Sequence, residues 1–193
     1  MMRRICSYIV LVMIMAELVL TLVSWIMSAM MMEGVRSMLS NEGVRWYLGH
    51  FTNILISPFL IYIILLSISI GCLNKSRIFV RANTYHERLG HKIAFTASIL
   101  YIILIATLAF MPHSILLSAT GLLFPSPFSN ALIPLLSFGG ILVSVCHGFT
   151  THQFSSFHSV VNAACDGIGI GAPFILCYIM IIQFYASILF VFG

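Results

Sequence analysis

Residues 167–192 read GIGIGAPFILCYIMIIQFYASILFVF, and no side chain among them carries a formal charge. A helix crosses a bilayer core with about 20 predominantly apolar residues, and this stretch is longer than that. Working back toward the N-terminus, similar runs recur over about 130–149, 93–111, 46–72 and 5–31. The chain therefore reads as all-α: a polytopic transmembrane helical bundle of about five spans, forming one transmembrane domain over residues 1–193. Alternating ten-residue strands are absent, so no membrane barrel is expected.

Composition supports the same class. Of 193 residues, 61% are hydrophobic and 7% are charged, with a mean hydropathy of +1.09. An ordinary soluble domain has about 25% charged residues, so this chain has too few polar side chains to cover a globule in water. Disorder, a soluble enzyme and a nucleic-acid-binding module are excluded by that shortage. Cys6, Cys72, Cys146, Cys165 and Cys177 form no paired CxxC, and most lie in apolar runs as buried thiols.

Charge sets the expected orientation. Arg3 and Arg4 precede the first span, and Lys75, Arg77, Arg81, Arg88 and Lys92 crowd the connection between the second and third. The first loop offsets Arg36 and Arg45 with Glu33 and Glu42, and beyond Lys92 the sole formal charge is Asp166. The positive-inside rule then places the N-terminus and the 73–92 loop in the cytoplasm, and five spans put the C-terminus outside. The first apolar run is too long for a cleaved signal and lacks a small-residue cleavage site, so it reads as an uncleaved signal anchor.

Glu17 lies about 20 Å along the first helix from Arg4. An ionisable group at such depth is costly, and marks a candidate site by default. It fits a proton path, a contact with another chain, or a neutral carboxyl bonded within the bundle. His50 and His113 lie near outer ends of spans and His91 and His147 near inner ends, a pattern that two haems in a four-helix bundle would use. Interfacial histidines without a ligand are the commoner case. Cys146, His147, His152, His158 and Cys165 match no zinc spacing, so no metal and no cofactor is expected. Gly139-Gly140, and Gly167 with Gly171 at i and i+4, read as helix-packing positions. Pro58, Pro134 and Pro173 interrupt three spans and predict kinks.

The stretch from Thr120 to Ala186 resembles the p-aminobenzoyl-glutamate transporter family. The likeness rests on Thr120-Gly121, Ser126-Pro127-Phe128, Gly148, Val160-Val161, Gln183-Phe184 and Ala186. Toward the N-terminus, Leu39-Ser40-Asn41-Glu42-Gly43-Val44-Arg45-Trp46, Pro58, Gly71, Lys75-Ser76 and Glu87-Arg88 are similar to that family as well. The resemblance implies a secondary transporter of the bacterial inner membrane, a dimer or other homo-oligomer, and an aromatic carboxylate as solute. Family members also have two re-entrant hairpins that build the substrate and cation sites. This chain passes from its second helix almost directly to the later block, and the family's polar residues after Gln183-Phe184 are matched here by Leu189-Phe190-Val191-Phe192.

Transport of a carboxylate-bearing solute needs polar groups and broken-helix dipoles at the midplane. Glu17 and Asp166 are the carboxylates left in or near spans, and Gln183 is the main polar side chain of the fifth, so these three are the candidate substrate- or ion-binding residues. The expectation is a non-enzymatic membrane protein of transporter type, inactive alone. The alternatives are a structural or accessory subunit that meets another membrane subunit through Glu17, and a membrane haem protein using the histidine pairs.

Overall fold

The computed structural model describes residues 2–32, 34–80, 84–110 and 127–193. Glu33, Arg81, His113, Thr120-Gly121 and Ser126, each used above, lie outside the described residues. The helices are α1 (Met2–Ala29), α2 (Asn41–Leu55), α3 (Pro58–Ser76), α4 (Tyr85–Phe110), α5 (Pro127–Thr150) and α6 (Phe157–Phe192). Among the described residues the fold is all-helical. Five stretches are long and apolar enough to cross a membrane: Arg3–Ala29, Pro58–Ser76, Tyr85–Thr107, Ala131–Thr150 and Phe157–Phe192. The chain is a multi-pass membrane protein.

One segment is built differently from the sequence reading. Residues 46–72, read as a single span, are the end of α2 and most of α3. Pro58 has no amide hydrogen, and its ring disfavours helical backbone at the residue before it. The chain leaves helical geometry at Ile56, with ψ at 85°, and restarts at Pro58. Upstream, Ser40 caps α2 by accepting the Gly43 amide at 3.0 Å. Helix α2 is amphipathic: Glu42, Arg45, His50 and Asn53 alternate with Val44, Tyr47, Leu48 and Phe51. It is not among the membrane-crossing stretches. The spanning work of that segment falls to α3 alone.

Helix α6 begins earlier than the predicted 167–192 span. Its 36 residues make a rod about 54 Å long against a hydrocarbon core of about 30 Å. In its third turn Asp166 pairs with Lys75 at 3.8 Å. Three helices end on left-handed residues other than glycine: Met31 (φ 54°) after α1, Arg77 (φ 54°) after α3 and His152 (φ 57°) after α5. Such geometry terminates a helix, at a steric cost for any residue with a Cβ.

Contacts group the chain into two compact units, residues 1–63 with 172–193, and residues 64–171. In the first, Met38, Phe190 and Val191 form the core, with Leu20, Val35, Trp46 and Tyr47 packed on it. Trp46 stacks on Phe190 at 4.4 Å, and the Arg36 amide donates to the Val191 carbonyl at 3.0 Å. In the second, Cys72, Phe154, Val160 and Ala163 form the core. There α4 packs along α5, where the Tyr101 hydroxyl donates to the Leu135 carbonyl at 2.8 Å and its ring lies over Gly139. Helices α3 and α6 touch backbone to backbone: a Cβ on Gly71 would lie 2.5 Å from the Ala163 carbonyl oxygen and 2.6 Å from the Gly167 nitrogen. Gly140 faces Ser69, and Gly171 faces Ser67.

Burial is inverted relative to a soluble protein. Ser24, Ser76, Ser137, Ser144 and Ser187 are fully enclosed, whereas Leu11, Val12, Leu18, Phe95 and Ile102 face outward. In a bilayer the surrounding lipid is as apolar as leucine, so small residues that allow close approach collect at helix contacts and bulky apolar ones turn outward. The fold positions its few polar side chains inside.

Candidate functional site

In the first unit α1 and α6 run side by side in the same direction. The Cys177 thiol donates to the Cys6 carbonyl at 3.7 Å, and ten residues further along α6 the Ser187 hydroxyl donates to the Glu17 carboxylate oxygen Oε1 at 2.5 Å. The two pairs stand eleven residues apart on α1 and ten apart on α6, as nearly parallel helices require. The Thr21 hydroxyl donates to the Glu17 backbone carbonyl at 2.8 Å, closing the next turn of α1.

The second carboxylate oxygen, Oε2, is enclosed and has no hydrogen-bond partner. Gln183, one turn before Ser187 on the same face of α6, is 4% exposed, and neither its amide oxygen nor its amide nitrogen has a partner. Three unpaired polar atoms thus lie in and beside one helix contact. Buried polar atoms are paired in the large majority of cases, because leaving one unpaired costs about 1–3 kcal/mol. A structural role would favour their replacement by carbon. Beside Glu17 is an open cavity of about 330 Å³, walled by Leu18, Thr21, Met38, Val44, Tyr47 and Leu48. Apart from Glu17, Thr21 and the Tyr47 hydroxyl, its surface is apolar.

Of the residues singled out in the sequence, Glu17 and Gln183 belong to this unit; Ser187, which bonds Glu17, stands one turn along α6 from Gln183. Asp166 belongs to the second unit, on the half-exposed surface, with Lys75. The partner that sequence reasoning passed over is Ser187. Its signal was available: Gln183 and Ser187 stand four apart in an otherwise apolar run, which places both on one helix face. The glycines named for helix packing all sit within contacts of this chain: Gly139 on Tyr101, Gly140 on Ser69, and Gly167 and Gly171 on α3.

His50 stacks on Trp46 in the first unit, at 5.9 Å between ring centroids, and the inner-end pair lies elsewhere. In the second unit His91 and His147 meet directly, with ring nitrogens 3.3 Å apart and ring planes nearly perpendicular. An iron between two axial imidazoles would separate those nitrogens by about 4 Å, twice a metal–imidazole bond of about 2 Å. The rings are arranged for contact with each other. Among the described residues no three His, Cys, Asp or Glu side chains gather around one point. No family model, no curated protein and no solved structure matches the chain.

Proposed function

We propose that the chain is a membrane-embedded component of a secondary transporter, resembling the p-aminobenzoyl-glutamate transporter family, and that Glu17 is its functional group. The observation that carries this reading is the Glu17 carboxyl itself: mid-span, bonded by Ser187 at one oxygen, unpaired at the other, beside buried and unpaired Gln183. Ionisable groups held inside a bilayer-spanning bundle mark ion and solute pathways. The residues of the resemblance add support, because several occupy positions that depend on their identity. Pro58 starts α3, Gly71 lies against the α6 backbone, Gly148 lies under the Phe154 ring, and Gln183 is enclosed.

The chain acts with a partner. Residues 77–84 alone connect α3 to α4, where the family has a longer, polar insertion. The setting is a bacterial inner membrane with the N-terminus in the cytoplasm, and the solute is an aromatic carboxylate. A second reading, a non-transporting accessory subunit, is favoured by α1, which carries Glu17 yet presents Leu11, Val12, Met15, Leu18 and Leu22 outward, free to meet another helix.

The test is flux of labelled p-aminobenzoyl-glutamate into proteoliposomes, with and without sodium and proton gradients. The chain is reconstituted alone, and together with a full-length relative. Alone it is expected to give no gradient-dependent flux. Together, it is expected to associate with the relative and change its flux, and Glu17→Gln is expected to abolish that change. Association without any effect on flux favours the accessory subunit. Neither association nor effect removes the transporter reading.

A further inference from the structure

Two imidazoles from different helices grip the end of α3. His147, 2% exposed near the end of α5, donates from Nδ1 to the Ser76 carbonyl at 3.0 Å. His91 of α4 donates from Nε2 to the Ile78 carbonyl, also at 3.0 Å. Between those two carbonyls stands Arg77, in the left-handed conformation at φ 54°. A Cβ-bearing residue holds that geometry against a steric cost, and here the carbonyls of the residues before and after it are both held by imidazoles.

The two remaining ring nitrogens decide what the pair is. His91 Nδ1 lies 3.3 Å from His147 Nε2 and 2.8 Å from the Glu87 carbonyl. A carbonyl oxygen only accepts, so His147 Nδ1 and His91 Nε2 each carry a hydrogen, and His147 Nε2 keeps its lone pair. His91 Nδ1 then faces two acceptors. A bare Nδ1 would set lone pair against lone pair in both directions, whereas a hydrogen there makes both contacts favourable. That is a third N–H on two rings that carry two when neutral.

We infer that His91 and His147 form a proton-binding site, in which one excess proton on His91 Nδ1 clamps the Arg77 turn onto α4 and α5. The carbonyls at the end of α3 form the negative pole of that helix and favour a cation. A cavity of about 50 Å³ adjoins the pair, lined by Ser76, Arg77, Val80, Glu87, Thr151 and Gln153. The charged groups facing the site are thus Glu87 from α4, whose carboxylate accepts the Thr84 amide at 3.0 Å, and Arg77 from the turn itself. From α5 and the residues after it come Thr151 and Gln153, which are uncharged. A second imidazole pair, His86 and His152 at 6.0 Å, also links α4 to the residue beyond α5. With the proton gone, the lone pairs of His91 Nδ1 and His147 Nε2 repel and push the rings apart, which draws their other N–H groups away from the Ser76 and Ile78 carbonyls and frees the Arg77 turn to leave its left-handed state. The site lies beside the basic residues Lys75, Arg77, Arg88 and Lys92, and makes their connection sensitive to pH.

The test uses the full chain in lipid nanodiscs with 15N-labelled histidine. Ring-nitrogen spectra are recorded from about pH 5.5 to about pH 8.5, the window in which imidazoles change charge. At the acid end both His91 nitrogens are expected to carry hydrogen and His147 only Nδ1; at the alkaline end His91 loses the Nδ1 hydrogen. In parallel, tryptic cleavage after Arg77, scaled to cleavage after Arg45 in the same chain, is expected to rise about tenfold from the acid to the alkaline limit, the loss of one charge-assisted hydrogen bond. His91→Gln and His147→Asn are each expected to give fast, pH-independent cleavage. One hydrogen per ring at every pH overturns the proposal, and so does a cleavage ratio in the unmodified chain that ignores pH. Both readouts on the unmodified chain stand even if a variant misfolds.

Discussion

Ser187 and Gln183 lie one turn apart on α6 and have opposite expected effects when their polar groups are removed. Ser187→Ala takes away the donor to Glu17 Oε1 and leaves both carboxylate oxygens unpaired. Hydrogen bonds inside bilayers average about 0.6 kcal/mol and reach about 1.7, so a loss of about 1 kcal/mol is expected in detergent or bicelle unfolding. Gln183→Leu removes two unpaired polar atoms from an enclosed position at similar volume. It is expected to be neutral or to stabilise by up to about 1 kcal/mol, while weakening whatever flux or association Glu17 supports. A clear destabilisation by Gln183→Leu would mean that the amide has a structural partner, and Gln183 would leave the candidate site.

Among the helices, the α3–α6 contact is the most demanding on side-chain size. Backbone meets backbone at Gly71 and Gly167, with no flexible side-chain end to give way. Gly71→Ala and Gly167→Ala are each expected to destabilise the chain by about 2 kcal/mol, the usual cost of overpacking. Gly169 is the control on the same helix, because nothing lies within 4 Å of the position its Cβ would take. Gly169→Ala is expected to leave stability unchanged or raise it by up to about 1 kcal/mol, through helix propensity. Equal effects at Gly167 and Gly169 would show that propensity rather than contact sets the response. The break before Pro58 belongs to this scale too. It takes α2 out of the membrane-crossing set, and its amphipathic sequence suits a helix lying along the interface.

At the scale of the molecule, the five helices among the described residues that are long and apolar enough to cross a membrane, with an asymmetric set of basic residues, define a topology that reporters can read. A fluorescent-protein fusion after Lys75 is expected to be bright and an alkaline-phosphatase fusion there inactive. Fusions near Arg36 should behave the opposite way. Because α2, at 15 residues, is shorter than a bilayer-crossing helix needs, fusions after Asn41 and after Ile56 are expected to report the same side. Opposite sides for that last pair would restore 46–72 as a span and change the number of crossings.

Amino-acid order by itself determined the class, the number of spans and most of their positions. Runs such as 167–192 carry no charge, and the free energy of placing them in water or lipid is a sum over residues that needs no knowledge of neighbours. The same additive logic marked Glu17 and Gln183 as out of place. It did not divide 46–72, because average hydropathy is insensitive to a missing amide hydrogen: Pro134 and Pro173 lie inside continuous helices, whereas the helix breaks before Pro58. It also did not pair Glu17 with Ser187, or His91 with His147 and the carbonyls at the end of α3. Those partners are separated by up to 170 positions in the chain. A hydrogen bond depends on distances of tenths of an ångström between such residues, and only the packing of helix on helix sets them.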